Sequence, residues 1–279
     1  MKLTKDEAAQ LDRLCRSCRR DVIEVLHEKQ TGHPGGSLSV CEILAVLFMK
    51  RLRIDPKDPA KEDRDRLVLS KGHAAPMLYR FLAEKGYFPK EEMHTLRDFE
   101  TRLQGHPQML DTPGVDLTSG PLGMGLSAAL GMALSLRLSG FDSRVYCVLG
   151  DGEINEGTIW EACMAAHKFK ADNLCAILDK NGVQLDGTSD DIMPLGDVKA
   201  KFASFGWNVL ECDGHDVSAL NDALDEAERC KGLPTVIIAH TVKGKGVSFM
   251  EGQSGWHGKA IDDESYRKAM EELGGDGNE

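Results

Sequence analysis

Five short apolar runs recur along the chain: Leu67-Val68-Leu69, Val145-Tyr146-Cys147-Val148-Leu149, Leu174-Cys175-Ala176-Ile177-Leu178, Trp207-Asn208-Val209-Leu210 and Thr235-Val236-Ile237-Ile238-Ala239. Each has the length and composition of a buried strand. Between and around them the apolar period changes to that of a helix. Leu11, Leu14, Cys15, Cys18, Val22, Val25 and Leu26 form one stripe from Thr4 to about Lys29, and Thr4 with Glu7 forms a capping box at its start. Ser39 and Glu42 are expected to open a second helix through Ile43, Leu44, Val46, Leu47 and Phe48. Further helices are predicted over Leu126 to Leu138, which is rich in small residues, over Val217 to Cys230, and after Ile261. This alternation predicts one doubly wound α/β domain over residues 1–279, with about five or six mainly parallel strands and helices on both faces. No internal repeat or domain boundary interrupts it.

The polar segments concentrate where the strands end. Gly32-His33-Pro34-Gly35-Gly36-Ser37 reads as a tight loop, and Ser70-Lys71-Gly72-His73-Ala74-Ala75-Pro76 as a strand-to-helix turn. Residues 55–66 read as a surface connection. Residues 86–116 form a long irregular segment with a short helix around 91–97, and contain Gly105-His106-Pro107. Long loops of this sort are usually functional or mobile. Thr118-Ser119-Gly120-Pro121-Leu122-Gly123-Met124-Gly125 is a second glycine-rich loop, whose spacing differs from Gly-x-Gly-x-x-Gly. Residues 240–260 are another long loop, with Lys243-Gly244-Lys245-Gly246 and Trp256-His257-Gly258-Lys259. The tail from Gly274 reads as frayed.

The densest chemistry lies between Gly150 and Val183. Gly150-Asp151-Gly152-Glu153-Ile154-Asn155-Glu156-Gly157 follows one predicted strand, and Asp179-Lys180-Asn181-Gly182-Val183 follows the next. In an open α/β sheet, ligands bind at the carboxyl ends of strands. Asp151 offers a carboxylate oxygen, Asn181 an amide oxygen, and the following loop a carbonyl, for which Val183 is the candidate. Three hard oxygens suit Mg²⁺ or Ca²⁺, with phosphate and water completing the shell. Gly152 allows a phosphate close to the backbone, and a helix starting near Asn155 offers its positive end to an anion. Gly150-Asp151-Gly152 alone is no more than a strand-to-helix turn. The second cluster, about thirty residues on, turns the reading toward a metal-bridged diphosphate site.

Composition narrows the picture. The chain has 279 residues, 41% hydrophobic and 28% charged, with a net charge of −11. No basic block supports nucleic-acid binding, no apolar run approaches a membrane span, and the amino terminus has no apolar signal core. Several of the eight cysteines fall in predicted strands or on helix faces. Cys15 and Cys18 share a face with Leu11, Leu14 and Val22 and lack the second pair of a zinc site, so they read as core. Reduced thiols point to the cytoplasm.

The Gly150–Val183 stretch resembles the thiamine-diphosphate fingerprint. Lys180 stands where many members carry a first asparagine, a departure common in transketolases. The histidine loops around His33, His73 and His106, the 118–123 loop and Trp256-His257-Gly258 extend the resemblance to transketolase over nearly the whole chain. In particular the chain resembles the separate amino-terminal subunit of a split transketolase. That resemblance implies a thiamine-diphosphate-binding fold of the diphosphate-binding type. It implies Asp151, Asn181 and the Val183 carbonyl as metal ligands, and Gly152, His73, His257 and Asn181 at the diphosphate end. Gly120, Leu122 and Gly123 are implied cofactor contacts, with Leu122 against the thiazolium. His33, His106 and His257 would face the sugars, Glu156 would link cofactor sites across a subunit interface, and Lys259 is a further diphosphate candidate.

Imidazole is suited to moving protons on and off sugar oxygens near neutral pH. Four histidines could also hold a metal, but each lies in a different loop and none has His-x-x-x-His spacing. The activity implied is transfer of a two-carbon ketol unit from a ketose phosphate to an aldose phosphate, as in the pentose phosphate pathway. In this family an activating glutamate resides in a pyrimidine-binding domain. The chain shows one doubly wound pattern, so a partner subunit carrying that domain is expected, in an assembly with two copies of each chain. The alternatives are a subunit of another thiamine-diphosphate enzyme, acting on an unusual sugar phosphate or a 2-oxoacid, and a non-catalytic cofactor-binding relative.

Overall fold

The structure, a computed structural model, describes residues 2–274, so the tail beyond Gly274 lies outside it. Five strands form one wholly parallel sheet in the order β1-β2-β3-β5-β4. They are β1 (Arg66–Leu69), β2 (Val145–Gly150), β3 (Leu174–Lys180), β4 (Asn208–Asp213) and β5 (Thr235–His240). All five apolar runs are strands. The central ones are buried on both sides, as a parallel sheet covered on both faces requires.

Alternate strand residues feed two cores. Val68, Cys147, Ala176 and Val236 face α5 (Met124–Leu138), α6 (Gly157–Lys168) and α8 (Val198–Ser204). Leu69, Val148, Ile177 and Ile237 face α1 (Lys5–Lys29), α3 (Cys41–Val46), α4 (Ala75–Lys85) and α9 (Val217–Arg229). For the helices that lead directly into β2, β3, β4 and β5, the side follows from chirality. Helices α5, α6 and α8 lead into β2, β3 and β4 as the chain moves one way across the sheet, whereas α9 leads from edge strand β4 back to β5. Right-handed crossovers put helices of opposite travel on opposite faces. The final helix, α10 (Asp263–Glu272), packs on α1, where His27 stacks on Tyr266 with ring centroids 4.1 Å apart.

Helix α1 has the expected box: Glu7 N–H donates to Thr4 Oγ1 at 3.2 Å and Thr4 N–H to Glu7 Oε2 at 2.9 Å. Cys15 and Cys18 are buried in its core-facing stripe, and all eight cysteines are free thiols. The next segment differs from expectation. Pro34–Ser39 is a buried short helix, α2, with proline in its first turn, rather than a loop. Ser39 and Glu42 cap nothing. The Ser39 hydroxyl donates to Asp179, and Glu42 is bound by Arg19 and His215. Helix α3 then runs into a π turn over Leu47–Arg51. The short helix expected near 91–97 is a 3₁₀ segment, Lys90–Thr95. The start expected near Asn155 is also a 3₁₀ turn, Gly152–Asn155, and α6 begins after Glu156. A short helix, α7 (Ser189–Ile192), and α8 occupy a stretch with no predicted elements.

Candidate functional site

Loops at the carboxyl ends of β1, β2, β3 and β5 converge on a cleft of about 220 Å³. Its lining includes Lys71, His73, Leu122, Asp151, Gly152, Glu153, Asn181, Val183, Gln184, Lys243 and His257. A 3₁₀ turn after β1, Gly72–Ala74, carries His73 to this edge. Leu122 arrives on the second glycine loop, and that loop is pinned from below. Glu153 is buried, and its carboxylate accepts from Gly123 N–H at 2.9 Å, Gly150 N–H at 3.0 Å and the Ser70 hydroxyl. Gly123 has φ +87°, and a Cβ there would lie 2.7 Å from Glu156 Cβ, so both conformation and space require glycine.

Asp151 sits at the end of β2, buried. Its Oδ1 accepts from Gly152 N–H at 2.8 Å and its Oδ2 from Gly182 N–H at 2.6 Å, with Ser189 Oγ at 3.4 Å. Burial, then the charge of Asp179, pushes the Asp151 carboxyl up, against the pull of those backbone donors. A carboxylate held in this way gains from a cation beside it. Asn181 Oδ1 accepts from Val183 N–H at 3.2 Å, so the amide oxygen is turned toward the loop. The Val183 carbonyl already receives a cationic group: Lys243 Nζ donates to it at 3.3 Å and to the Gln184 carbonyl at 3.2 Å. Carboxylate, amide and carbonyl oxygens at one sheet edge fit a hard divalent cation, and an ammonium already rests on one of them.

Four imidazoles gather beside this cleft. His33 lies 5.6 Å from His73, 6.0 Å from His106 and 5.4 Å from His257, and His73 lies 4.9 Å from His257, centroid to centroid. Among the described residues no group of three or more His, Cys, Asp or Glu is arranged to hold a metal. Burial first, then nearby positive charge, lowers all four: His33 and His257 to about 4, His73 well below its ordinary value, and His106 in the same direction. Neutral rings can both give and take a proton. Lys243 Nζ donates to His257 Nδ1 at 3.0 Å, which leaves the ring proton on Nε2. Nδ1 of His33 is buried without a hydrogen-bond partner.

His33, His106, Gly120, Gly123, Glu156 and Lys259 stand outside the cleft lining. Lys259 is exposed, with its ammonium 4.6 Å from the centre of the Trp256 ring. The lysines at the cleft are Lys71 and Lys243, and the Lys243 ammonium is pushed down to about 8 by burial and by Lys71. Glu156 is exposed just before α6, beside Gly123, and does not line the cleft. Gly120 lies by His106, where an added Cβ would stand 3.6 Å from the ring.

The floor of the site is a buried ion pair that sequence reasoning missed. Lys71 Nζ binds Asp179 and donates to the Gly36 carbonyl at 3.2 Å. Asp179 also accepts from Ser39 Oγ at 2.6 Å and from the Thr241 hydroxyl. One carboxylate thus ties α2 and the ends of β1, β3 and β5 together. A second chain of contacts reaches the same loop. Arg19 binds Glu42 at 2.6 and 2.7 Å, His215 Nδ1 lies 2.9 Å from Glu42, and Val242 N–H donates to His215 Nε2 at 2.8 Å. The Val242 bond puts the His215 proton on Nδ1, facing Glu42.

The family profile "Transketolase, thiamine diphosphate binding domain" matches residues 11–279. The chain is 44% identical over 255 residues to a protein of Clostridium sp. (strain MSTE9) named as a 6-deoxy-6-sulfo-D-fructose transketolase subunit, covering 91% of this chain and 93% of that one. It is 40% identical over 265 residues to a protein of Actinobacillus succinogenes named as an apulose-4-phosphate transketolase subunit, covering 95% and 96%. The crystal structure of transketolase from Campylobacter jejuni superposes with a TM-score of 0.89 at 34% identity, over 96% of this chain and 43% of that longer one. The chain belongs to the transketolase family, as its thiamine-diphosphate-binding domain.

Proposed function

We propose that this chain, residues 1–279 as one binding domain, is the diphosphate-holding subunit of a two-chain transketolase. It would move a two-carbon ketol unit from a ketose to an aldose with thiamine diphosphate and Mg²⁺ or Ca²⁺. The observation that carries this reading is the meeting of Asp151, Asn181 and Val183 oxygens with four neutral histidines at one sheet edge. Asp151, Asn181 and the Val183 carbonyl would hold the cation. Gly152, His73, Lys243 and His257 would hold the diphosphate, and Gly120, Leu122 and Gly123 would bound the ring beyond it. Bound there, the cofactor supplies the nucleophile and electron sink. The chain's own work is orientation and proton handling. His257 offers Nε2–H, His33 has an unfilled Nδ1, and His106 is exposed at the mouth.

The substrate class is supported by two relatives whose names specify a sulfonated ketose and a ketose phosphate. A donor ending in a tetrahedral anion accommodates both. Those relatives are named as subunits and are covered nearly end to end, which supports a partner chain carrying the pyrimidine-binding domain and its activating acid. Two copies of each chain would give closed two-fold symmetry, with Glu156 at the interface. Eight free thiols support a cytoplasmic setting, and among the described residues no helix is long and apolar enough to cross a membrane.

The test is a ketol-transfer assay with ketose phosphate, aldose acceptor, thiamine diphosphate and Mg²⁺, with and without the partner. The chain alone is expected to be inactive. Full activity in a preparation shown by mass spectrometry to contain only this chain would overturn the two-chain reading.

A further inference from the structure

The loop that carries Lys243 has an anchor outside the cleft. Val242 N–H donates to His215 Nε2 at 2.8 Å, and His215 Nδ1 lies 2.9 Å from Glu42 Oε2. Behind this carboxylate stands Arg19, bound to its two oxygens at 2.6 and 2.7 Å and to the Leu38 carbonyl at 3.1 Å. Arg19 and Glu42 are buried, and the His215 side chain is only 12% exposed. Burial alone raises the Glu42 carboxyl, but Arg19 and His215 outweigh it and hold the group below its ordinary value. An ionised Glu42 draws the ring proton to Nδ1 and leaves Nε2 free to accept. The ring is itself fixed, on the turn between β4 and α9. There Gly214 N–H donates to the His240 carbonyl at 2.8 Å, and His215 N–H to Asp213 at 2.8 Å.

What these contacts hold is the backbone next to Lys243. Thr241 is fastened by its hydroxyl to Asp179 and by its N–H to the Lys180 carbonyl at 3.1 Å, and His215 takes the next N–H along. An N–H deprived of its acceptor either turns to water or bears its desolvation cost. Turning this peptide swings the Cα–Cβ bond of Lys243. The Lys243 ammonium reaches the Val183 carbonyl at 3.3 Å, the Gln184 carbonyl at 3.2 Å and His257 Nδ1 at 3.0 Å, and the last contact makes His257 an Nε2–H donor. Neither His215 nor Glu42 lines the cleft, so any effect they have there passes through Lys243.

We propose that His215, oriented by Glu42, is a positioning residue that sets the reach of the Lys243 ammonium into the cleft and, through it, the tautomer of His257. This rests on the cofactor-holding reading above, in which Lys243 and His257 hold the diphosphate. Carboxylate–imidazole pairs orient the ligands of metal sites in the same manner; here the imidazole grips a backbone N–H instead of a metal. The carboxylate polarises the ring and strengthens Nε2 as an acceptor.

The complex with partner is titrated with thiamine diphosphate in the presence of Mg²⁺ by calorimetry. His215→Phe keeps a ring and removes both nitrogens. It is expected to raise the cofactor Kd by roughly 10- to 100-fold, the range for groups that orient a ligand-contacting side chain. His215→Gln, whose amide offers an oxygen to Val242 and a donor to Glu42, should recover part of that loss. Lys243→Met should weaken binding at least as much, and adding His215→Phe to it should cost nothing more, because the two act as one unit. Losses that multiply in the double variant, or a lower unfolding temperature with unchanged Kd in His215→Phe, would overturn the assignment. Should His215→Phe fail to fold, the wild-type complex still decides. Hydrogen exchange read at residue resolution should show Val242 N–H protected, and exchange there at the rate of an unstructured peptide would overturn the assignment. A wild-type complex that binds no thiamine diphosphate would instead refute the cofactor-holding reading, and this assignment with it.

Discussion

Replacing Lys71 by methionine leaves Asp179 fully buried with its counter-charge removed. Two unit charges about 4 Å apart attract by about 4 kcal/mol at an effective dielectric of about 20, and this pair is in hydrogen-bond contact. Ser39 and Thr241 would still donate to the carboxylate, so the group is not stripped bare. The expected loss is about 3–5 kcal/mol, the range for a buried pair with one partner deleted. The double change Lys71→Met with Asp179→Asn removes the charge yet keeps an oxygen for both hydroxyls, and should recover at least about half of that loss. The pH dependence supplies a sign. Burial alone raises the Asp179 carboxyl, but Lys71, Ser39 and Thr241 outweigh burial and hold it below the ordinary value. Its stabilising contribution is therefore present above the unfolded value of about 3.9 and is lost as pH falls through the lower folded value. Without Lys71, burial dominates and the folded value rises, so acidification relieves the variant and the gap to wild type narrows. Equilibrium urea denaturation at pH 7.5 and pH 5 measures both effects. A single-variant loss under about 1 kcal/mol, or a double variant no better than the single, would refute this account of the floor of the site.

Asp151→Ala should abolish metal-dependent cofactor binding while leaving the fold intact. The expected loss in affinity, by calorimetry of the complex, exceeds the roughly 10- to 100-fold typical of groups one shell out from a metal; unchanged affinity would sink the site assignment. His106→Ala should lower turnover more than cofactor affinity, whereas His73→Ala should lower both, because His106 is at the mouth and His73 lines the cleft. A His106 variant whose main defect is cofactor binding would reverse those roles.

What the sequence makes legible here is what local chemistry decides. The capping box of α1, the five apolar runs and the clustering of polar residues at strand ends depend on spacing alone. Helix α2 does not. Gly35 and Gly36 each cost a helix about 1 kcal/mol relative to alanine, and the segment is helical because the fold buries all six of its residues. The choice between Lys243 and Lys259 is likewise tertiary. Gly244 N–H donates to the Gly35 carbonyl at 3.0 Å and Gly252 N–H to the Lys243 carbonyl at 2.9 Å, and these bonds aim Lys243 inward. Asp179 reads in sequence as the polar end of a strand. Its role appears only when Lys71, distant in the chain, arrives beside it.

The strand order carries a consequence for biogenesis. Edge strand β4 has a single neighbour, β5, and β3 needs β5 on one side, yet β5 is the last strand to be made. Until residue 240 has left the ribosome, β3 offers a bare apolar edge and β4 has nothing to pair with. Unpaired edges of this kind are templates for self-association. Closure of the sheet is thus a late, long-range event, of the slow class set by non-local pairing. Chains interrupted before Thr235 should accumulate as aggregates rather than as partly folded monomers. The same insertion brings Thr241 to Asp179 and Lys243 to Val183, so sheet completion and assembly of the site coincide in time.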